Sequence, residues 1–544
     1  MYRREFERWL EQDSLTKEEQ LRLVEIRNND ELVEDLFGRD LKFGTAGLRG
    51  KMDVGTNRMN NHVVKRATQG VSQFLLKRKE DPSVVIGYDT RNHSEDFARE
   101  AACVLAANGI KVYLFDQYSP VPLVSFATRS LKTDAAIMIT ASHNPKEYNG
   151  YKVYNGTGGQ ILEEEADSIL EEISNIDIFS GVKTVDFEAA IGNEIVYTPD
   201  YVYENFLSNA SQVSKGNLEN NRNLKVVYSP LHGSGRSFVN EILNKNGFDF
   251  EIVKEQEEAD GNFPTCPSPN PENRDVYDIA LRYADREDAD LIIATDPDAD
   301  RLGAMVRDRE GYTLLTGNEI GILMFYYLCC RGQAEGKNLV STIVSTPLVD
   351  AIAEDYKVNV IRTHVGFKYI GEQIDIDPDN FLLGFEESNG YLAGTYARDK
   401  DAVFAANLFC SLAAYFKAEG KTLPEVLEEI YSEYGFMINE TISIKEEKRE
   451  KIEQLMNTFR DAEAMKEVFS DIISYTDYNS REYNKELPLA DVVQYGFSDG
   501  SGLVIRPSGT EPKIKVYVSA KGSTAEMAEE KIAKIRSKVM KLAQ

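Results

Sequence analysis

Ile137-Met-Ile-Thr-Ala-Ser-His-Asn-Pro145, Leu291-Ile-Ile-Ala-Thr-Asp-Pro-Asp-Ala-Asp-Arg301 and Phe381-Leu-Leu-Gly-Phe-Glu-Glu-Ser-Asn-Gly390 share one pattern. In each, an apolar run of strand length breaks off abruptly into a polar loop. Further runs of this kind are Val84 to Tyr88, Leu224 to Tyr228 and Val358 to Arg362, and helix-compatible stretches such as Ser94 to Asn108 and Ala402 to Phe416 lie between them. Such alternation predicts α/β layers with mostly buried strands. The three echoing runs predict three similar α/β units, each with a functional loop beyond the C-terminal end of a strand, where ligand loops of open α/β sheets sit. After about residue 440 the texture changes. A charged helical stretch, Ile444 to Met456, opens a smaller α+β unit. Its alternating strand is expected at Ile514 to Val518, and its closing helix opens with a capping box of Ser523 and Glu526. Ile532, Ile535, Val539 and Leu542 fall on one face of that helix. The expected divisions are 1–215, 216–318, 319–440 and 441–544.

Composition narrows the function. The 544 residues exceed one core and imply several domains. Hydrophobic residues at 42% and charged residues at 28% fit a folded, soluble chain. The formal charge of -28 repels nucleic acid and anionic lipid, so neither is expected as a partner. A small anionic substrate stays possible if the site supplies local Arg and Lys. The longest apolar stretch, Ile320 to Cys330, is far shorter than the about 20 residues a bilayer requires. A charged N-terminal sequence and five Cys without a CxxC predict a cytoplasmic protein with reduced thiols.

Four loops carry the chemistry. In Thr140 to Pro145, Ser142 follows a strand, where it can serve as a nucleophile or phosphoryl carrier, with His143 or Lys152 to move protons or steady a phosphate. On its own such a serine is more often part of a capped turn. In Asp296 to Arg301, the alternate carboxylates of Asp296, Asp298 and Asp300 are hard oxygen ligands suited to Mg²⁺. An EF-hand would need Gly and Glu where the chain has Arg301 and Arg307. Glu386 and Ser388 can donate to and accept from sugar hydroxyls. In Arg506 to Lys513, Arg506 offers a fork for phosphate, Ser508 and Thr510 add hydroxyls, and Gly509 lets backbone N–H groups approach an anion. Together the loops hold the parts needed to move a phosphoryl group on a sugar.

With these motifs in order, joined by Lys42 to Gly50 (KFGTAGLRG), Thr363 to Lys368 (THVGFK) and Arg398 to Ala402 (RDKDA), the chain closely resembles the α-D-phosphohexomutase superfamily. The similarity is greatest to its phosphoglucomutase and phosphopentomutase branch and covers nearly the whole chain. It implies four domains around a central cleft, the first three sharing an α/β core with mixed sheets and the last a smaller α+β domain. It implies that Ser142 carries the phosphoryl group and that Asp296, Asp298 and Asp300 bind Mg²⁺ together with a phosphoserine oxygen. Glu386 and Ser388 match the sugar readers. Arg506, Ser508, Gly509 and Thr510 match the loop that grips the non-reacting phosphate. Arg49, His143, Lys152, His364 and Lys400 match residues that bind the reacting end or move protons, and Arg301 is expected to bind substrate beside the metal loop. One departure stands out: the branch often has a tryptophan after Tyr154, where this chain runs Asn155-Gly156-Thr157-Gly158, and its only Trp is Trp9.

The resemblance implies a phosphoserine mutase that interconverts glucose 1-phosphate and glucose 6-phosphate, with glucose 1,6-bisphosphate as intermediate and activator. Lys152 is the first choice of general base and His364 the second. A phosphopentomutase, a phosphomannomutase and a sugar-bisphosphate synthase use the same four loops. A non-catalytic sugar-phosphate binder is disfavoured by the intact Ser142 and aspartates. Oligomeric state is not readable from these residues.

Overall fold

The computed structural model describes residues 2–44, 47–214, 216–446, 448–485, 487–508 and 513–543. The chain forms two compact bodies. One comprises Met1–Leu314, Gly371–Pro378 and Gly390–Ala418, and the other Leu315–Ile370, Asp379–Asn389 and Glu419–Gln544.

The first body contains two mixed sheets. The six-stranded sheet runs in the order Gly47–Lys51, Tyr148–Asn155, Ala135–Ile139, Ser83–Tyr88, Lys111–Leu114 and Ile195–Tyr197. Its last four strands are parallel, Tyr148–Asn155 returns antiparallel to them, and Gly47–Lys51 pairs antiparallel with Tyr148–Asn155. The five-stranded sheet repeats the scheme. Asp249–Ile252, Lys225–Ser229 and Leu291–Thr295 are parallel, while Leu302–Arg307 and Tyr312–Leu314 fold back antiparallel. The Ala135–Ile139 and Leu291–Thr295 strands are buried at every position, as uninterrupted apolar runs demand when helices cover both faces. Each runs into its polar loop and returns as the antiparallel neighbour, so the loop is gripped at both ends by ladder hydrogen bonds.

The helix Ala402–Ala418 is apolar nearly all round and buried along most of its length. A helix of that kind must be enclosed. It packs against the helix Gly235–Lys245 and the second sheet, which ties Gly390–Ala418 to the first body.

In the second body, Asn359–Thr363, Asn338–Thr342 and Phe381–Glu386 are adjacent parallel strands. The C-terminal sheet is wholly antiparallel, in the order Phe436–Lys445, Lys513–Gly522, Gly502–Pro507, Val493–Phe497 and Ile472–Asp477. The closing helix Ala525–Leu542 buries Ile532, Ile535 and Val539 as its periodicity requires, with Leu542 packed at the margin. Its cap differs from expectation. Thr524, not Ser523, accepts the Met527 N–H, and the Ser523 hydroxyl turns to the Met527 sulfur. Either residue can cap a helix, and one residue's shift in the turn decides between them. All five cysteines are free thiols, and no helix among the described residues is long and apolar enough to cross a membrane.

The N-terminal helices Tyr2–Leu10, Lys17–Ile26 and Asp30–Phe37 share the core of the six-stranded sheet. Trp9 is fully buried, edge-on to Phe37, His62 and Phe179 at 5.2–5.6 Å between ring centres. Its indole N–H has no hydrogen-bond partner among the described residues. Trp9→Ala is therefore expected to cost about 3–5 kcal/mol of stability. Trp9→Phe, which keeps most of the packing and removes the orphan N–H, should cost less than about 1.5 kcal/mol. Urea unfolding followed by circular dichroism checks both, and equal midpoints for wild type and Trp9→Ala would place these helices outside the cooperative core.

Candidate active site

Ser142 sits just past the strand Ala135–Ile139 with φ +53°, a left-handed conformation costly for a non-glycine residue. Two neighbours hold the loop in it. The Arg91 guanidinium is wholly buried and donates to the carbonyls of Ser142, Asn144, Pro145 and Tyr148. Asp89 accepts from the hydroxyls of Ser94 at 2.7 Å and Thr140 at 2.6 Å, and the Thr140 hydroxyl accepts the Ser142 N–H at 2.8 Å. Thr140 also reaches Asp298, at 3.1 Å.

The loop after Leu291–Thr295 brings Asp296, Asp298 and Asp300 together, with one carboxylate oxygen from each lying within 4.8 Å of the others. All three are buried. The turn passes through Ala299 at φ +49°. It is braced by the Asp300 and Arg301 N–H groups on Asp296 Oδ1, at 3.1 and 3.0 Å. Behind it, Gly233 packs so closely that a Cβ would lie 2.6 Å from Pro297 Cα, and the Ser234 hydroxyl donates to the Pro297 carbonyl at 2.9 Å.

The two loops meet. Ser142 Oγ donates to Asp296 Oδ2 at 2.7 Å and lies 3.1 Å from His143 Nδ1. Lys152 Nζ lies 2.9 Å from Asp298 Oδ2 and 3.4 Å from Asp300 Oδ2, and Lys400 Nζ lies 2.9 Å from the same Asp300 oxygen. Arg301 pairs with Glu272 at 2.5 Å, and Arg49 donates to Asn144 Oδ1 at 3.3 Å. Nine of the expected residues, Arg49, Ser142, His143, Lys152, Asp296, Asp298, Asp300, Arg301 and Lys400, belong to this body, and His364, Glu386, Ser388, Arg506, Ser508, Gly509 and Thr510 belong to the second.

The electrostatics fit a cation. Burial and two neighbouring carboxylates push the Asp296 carboxyl well above its usual range. Asp300 is held low: burial works upward, but Lys400, Lys152 and Arg301 outweigh it. Asp298 Oδ1 and Asp300 Oδ1 are buried with no hydrogen-bond partner among the described residues. Orphaned carboxylate oxygens beside a crowded third carboxylate are what a divalent cation with oxygen ligands satisfies. For Lys152, burial works to lower the pKa, but Asp298 and Asp300 outweigh it and the ammonium stays charged. Burial, with help from Arg301 and Arg49, holds His143 well below the ordinary histidine value, so its ring is neutral near pH 7.

In the second body, Glu386 is buried and its Oε1 accepts the Gly366 N–H at 2.9 Å, while Ser388 lies half-buried in the following turn. His364 Nε2 faces the Pro488 carbonyl at 2.7 Å. A carbonyl only accepts, so Nε2 carries the proton and Nδ1 is the basic nitrogen. Arg506 Nη2 donates to the Tyr517 hydroxyl at 3.2 Å, and its Nε is buried without a hydrogen-bond partner among the described residues. Ser508 bonds through its N–H to the Lys513 carbonyl at 2.8 Å. Gly509 and Thr510 lie outside the described residues.

Sequence reasoning missed Asp89, Arg91 and Asp399. The signal for the first two was present: Asp89-Thr90-Arg91 directly follows the buried strand Ser83–Tyr88, in the same position as the other functional loops.

Comparison with known proteins agrees with this geometry. Four family profiles match in order: Phosphoglucomutase/phosphomannomutase alpha/beta/alpha domain I at residues 40–178, domain II at 202–311, domain III at 316–434, and the C-terminal domain at 444–534. A phosphoglucomutase of Staphylococcus haemolyticus is 37% identical over 89% of this chain and 91% of its own. One of Staphylococcus aureus is 36% identical over 95% of both. Among solved structures, the phosphoglucomutase pp63/parafusin of Paramecium aligns with a TM-score of 0.74 at 18% identity, over 92% of this chain and 94% of that one. A phosphoglucomutase/phosphomannomutase family protein of Burkholderia thailandensis aligns with a TM-score of 0.70 at 16% identity, over 92% and 97%. Three mixed α/β domains, an antiparallel C-terminal sheet and four ordered profile matches leave one assignment: the chain belongs to the phosphoglucomutase/phosphomannomutase family of the α-D-phosphohexomutase superfamily.

Proposed function

We propose that the chain interconverts glucose 1-phosphate and glucose 6-phosphate through a phosphoserine at Ser142 and glucose 1,6-bisphosphate. Family membership makes it a phosphosugar mutase, an intramolecular phosphotransferase. The observation that carries the reading is the Ser142 hydroxyl bonded to Asp296 at 2.7 Å, beside two buried carboxylate oxygens that lack partners among the described residues. The glucose specificity is supported by the staphylococcal relatives, whose name is phosphoglucomutase.

Asp296, Asp298, Asp300 and an oxygen on Ser142 would hold Mg²⁺, which when bound supplies Lewis-acid stabilisation of charge on the transferring group. The chain's own residues do the rest. A sugar hydroxyl attacks the phosphorus on Ser142. A new O–P bond forms, the Ser142 Oγ–P bond breaks, and the hydroxyl proton passes to a base. The bisphosphate reorients and returns its other phosphoryl group to Ser142. Arg91 and Asp89 keep the serine loop in its left-handed turn throughout, so the nucleophile does not have to be ordered at each step. Arg506, whose buried Nε has no hydrogen-bond partner among the described residues, would pair with the non-reacting phosphate. Either Lys152 or His364 would serve as that base. Lys152 is held as an ammonium by two carboxylates, whereas His364 keeps its proton on Nε2 and presents Nδ1 as the acceptor.

Ser142→Ala should remove nearly all mutase activity and leave the chain folded, at a cost of about 1–3 kcal/mol from the lost bond to Asp296. Intact-mass analysis of active wild type should show a phosphate of about 80 Da on Ser142. Turnover close to wild type in clean Ser142→Ala would sink the mechanism. Chelation should abolish activity and Mg²⁺ restore it, and Asp298→Asn, with one anionic ligand fewer, should need a higher Mg²⁺ concentration. Full activity in excess chelator would leave the aspartates as an acidic turn. Arg506→Ala should lower kcat/KM about ten- to a hundredfold in both directions by similar factors, from the loss of a charge-assisted bond of about 1.5–3 kcal/mol. Arg506→Lys should recover only part, keeping the charge but not the fork. Steady-state kinetics run both ways decide this, since a defect in one direction alone would mean the loop is not a shared phosphate site.

A further inference from the structure

Lys152 and Tyr154 stand two residues apart on the strand Tyr148–Asn155, so their side chains leave the same face of the sheet. Both are buried. Lys152 reaches Asp300 Oδ2, at 3.4 Å. Tyr154 donates its hydroxyl to Asp399 Oδ2 at 3.0 Å, and Gln160 adds a second donor to that oxygen at 2.7 Å. Asp399 Oδ1 accepts the Lys400 N–H at 2.9 Å and faces Lys400 Nζ at 3.4 Å. Lys400 Nζ then reaches Asp300 Oδ2 at 2.9 Å. The contacts close a circuit that starts and ends on one strand: Lys152, Asp300, Lys400, Asp399, Tyr154.

Three features separate this circuit from ordinary buried polarity. Asp399 does not cap the helix that follows. That work belongs to Asp401, which accepts the Val403 and Phe404 N–H groups and the Tyr396 hydroxyl. The polar partners of Asp399 are Lys400 and the two donors from the Tyr148–Gln160 segment. Second, two ammonium groups converge on one oxygen of Asp300, which is costly in a buried setting unless another carboxylate shares one of them. Asp298 shares Lys152, at 2.9 Å, and Asp399, 1% exposed, shares Lys400, at 3.4 Å. Third, with Oδ2 of Asp300 taken by both lysines, Oδ1 is the oxygen without a hydrogen-bond partner among the described residues, with Arg301 Nε 3.9 Å from it.

We propose that Asp399 is a positioning residue for the metal centre: anchored by Tyr154 and Gln160, it holds the Lys400 ammonium on Asp300 Oδ2 and thereby leaves Asp300 Oδ1 to the cation. The proposal rests on the reading of the three aspartates as a cation site. Residues one contact away from metal ligands fix ligand orientation, and their loss commonly costs about ten- to a hundredfold in metal affinity or activity. Removing the Tyr154 hydroxyl takes away only one of two anchors and should act in the same direction with a smaller effect.

The test uses the purified full chain with Mn²⁺ as the probe, its affinity measured by electron paramagnetic resonance without substrate, alongside glucose 1-phosphate kinetics at saturating Mg²⁺. Asp399→Asn should weaken Mn²⁺ binding and lower kcat by about ten- to a hundredfold each, with KM changed less than about threefold. Tyr154→Phe should lower both by about three- to tenfold, and Asp399→Glu should recover part of the Asp399→Asn loss. If Asp399→Asn does not fold, Tyr154→Phe decides alone. Folded variants with a lowered Tm but wild-type Mn²⁺ affinity and kcat would overturn the proposal and leave Asp399 a packing residue. A wild-type chain that binds no Mn²⁺ would overturn the cation reading and this proposal with it.

Discussion

Three carboxylates with oxygens within 4.8 Å of one another, all out of reach of water, cannot coexist without nearby positive charge. Much of the first body is arranged around that constraint. The antiparallel return strand Tyr148–Asn155 delivers Lys152, and the loop before the buried helix Ala402–Ala418 delivers Lys400. Arg301 adds a third positive charge from within the turn itself. Asp298 Oδ1 and Asp300 Oδ1 are left without a hydrogen-bond partner among the described residues. Such a partly neutralised cluster is suited to a metal ion.

The serine loop follows a similar logic with backbone rather than side-chain charge. Ser142 and Ala299 each hold a left-handed conformation that costs about 1–3 kcal/mol. The first is offset by a single buried guanidinium on four carbonyls, the second by two backbone N–H groups on Asp296. Asp89, Thr140 and Asp298 connect the two loops through hydrogen bonds, so Ser142 and the trio are positioned against each other rather than separately.

Much of this was legible in the sequence because it rests on local pattern. Uninterrupted apolar runs gave the buried strands to within a residue or two, and the abrupt polar breaks marked three of the four functional loops. What was not legible depends on tertiary approach. Asp399 beside Lys400 looks like any charged pair until Tyr154 and Gln160 arrive, more than 230 residues earlier in the chain. Arg91 has no local periodicity to betray that it will be buried among carbonyls. The cap at Thr524 rather than Ser523 turns on one residue of turn geometry, which composition cannot resolve. The preference of Lys152 for its charged state is a sum of opposing burial and Coulomb effects, invisible without distances.

The route of the chain has a consequence for its birth on the ribosome. The first body is not contiguous: it takes in Gly390–Ala418 after the chain has entered and left the second. Until that segment has emerged, the nascent aspartate trio has Lys152 and Arg301 but lacks Lys400, and the second sheet lacks the apolar helix that covers it. Synthesis proceeds at about 5–20 residues per second, so the nearly completed half waits several seconds for its closing piece. During that interval it lacks one counter-charge of the trio and the helix that packs on the second sheet.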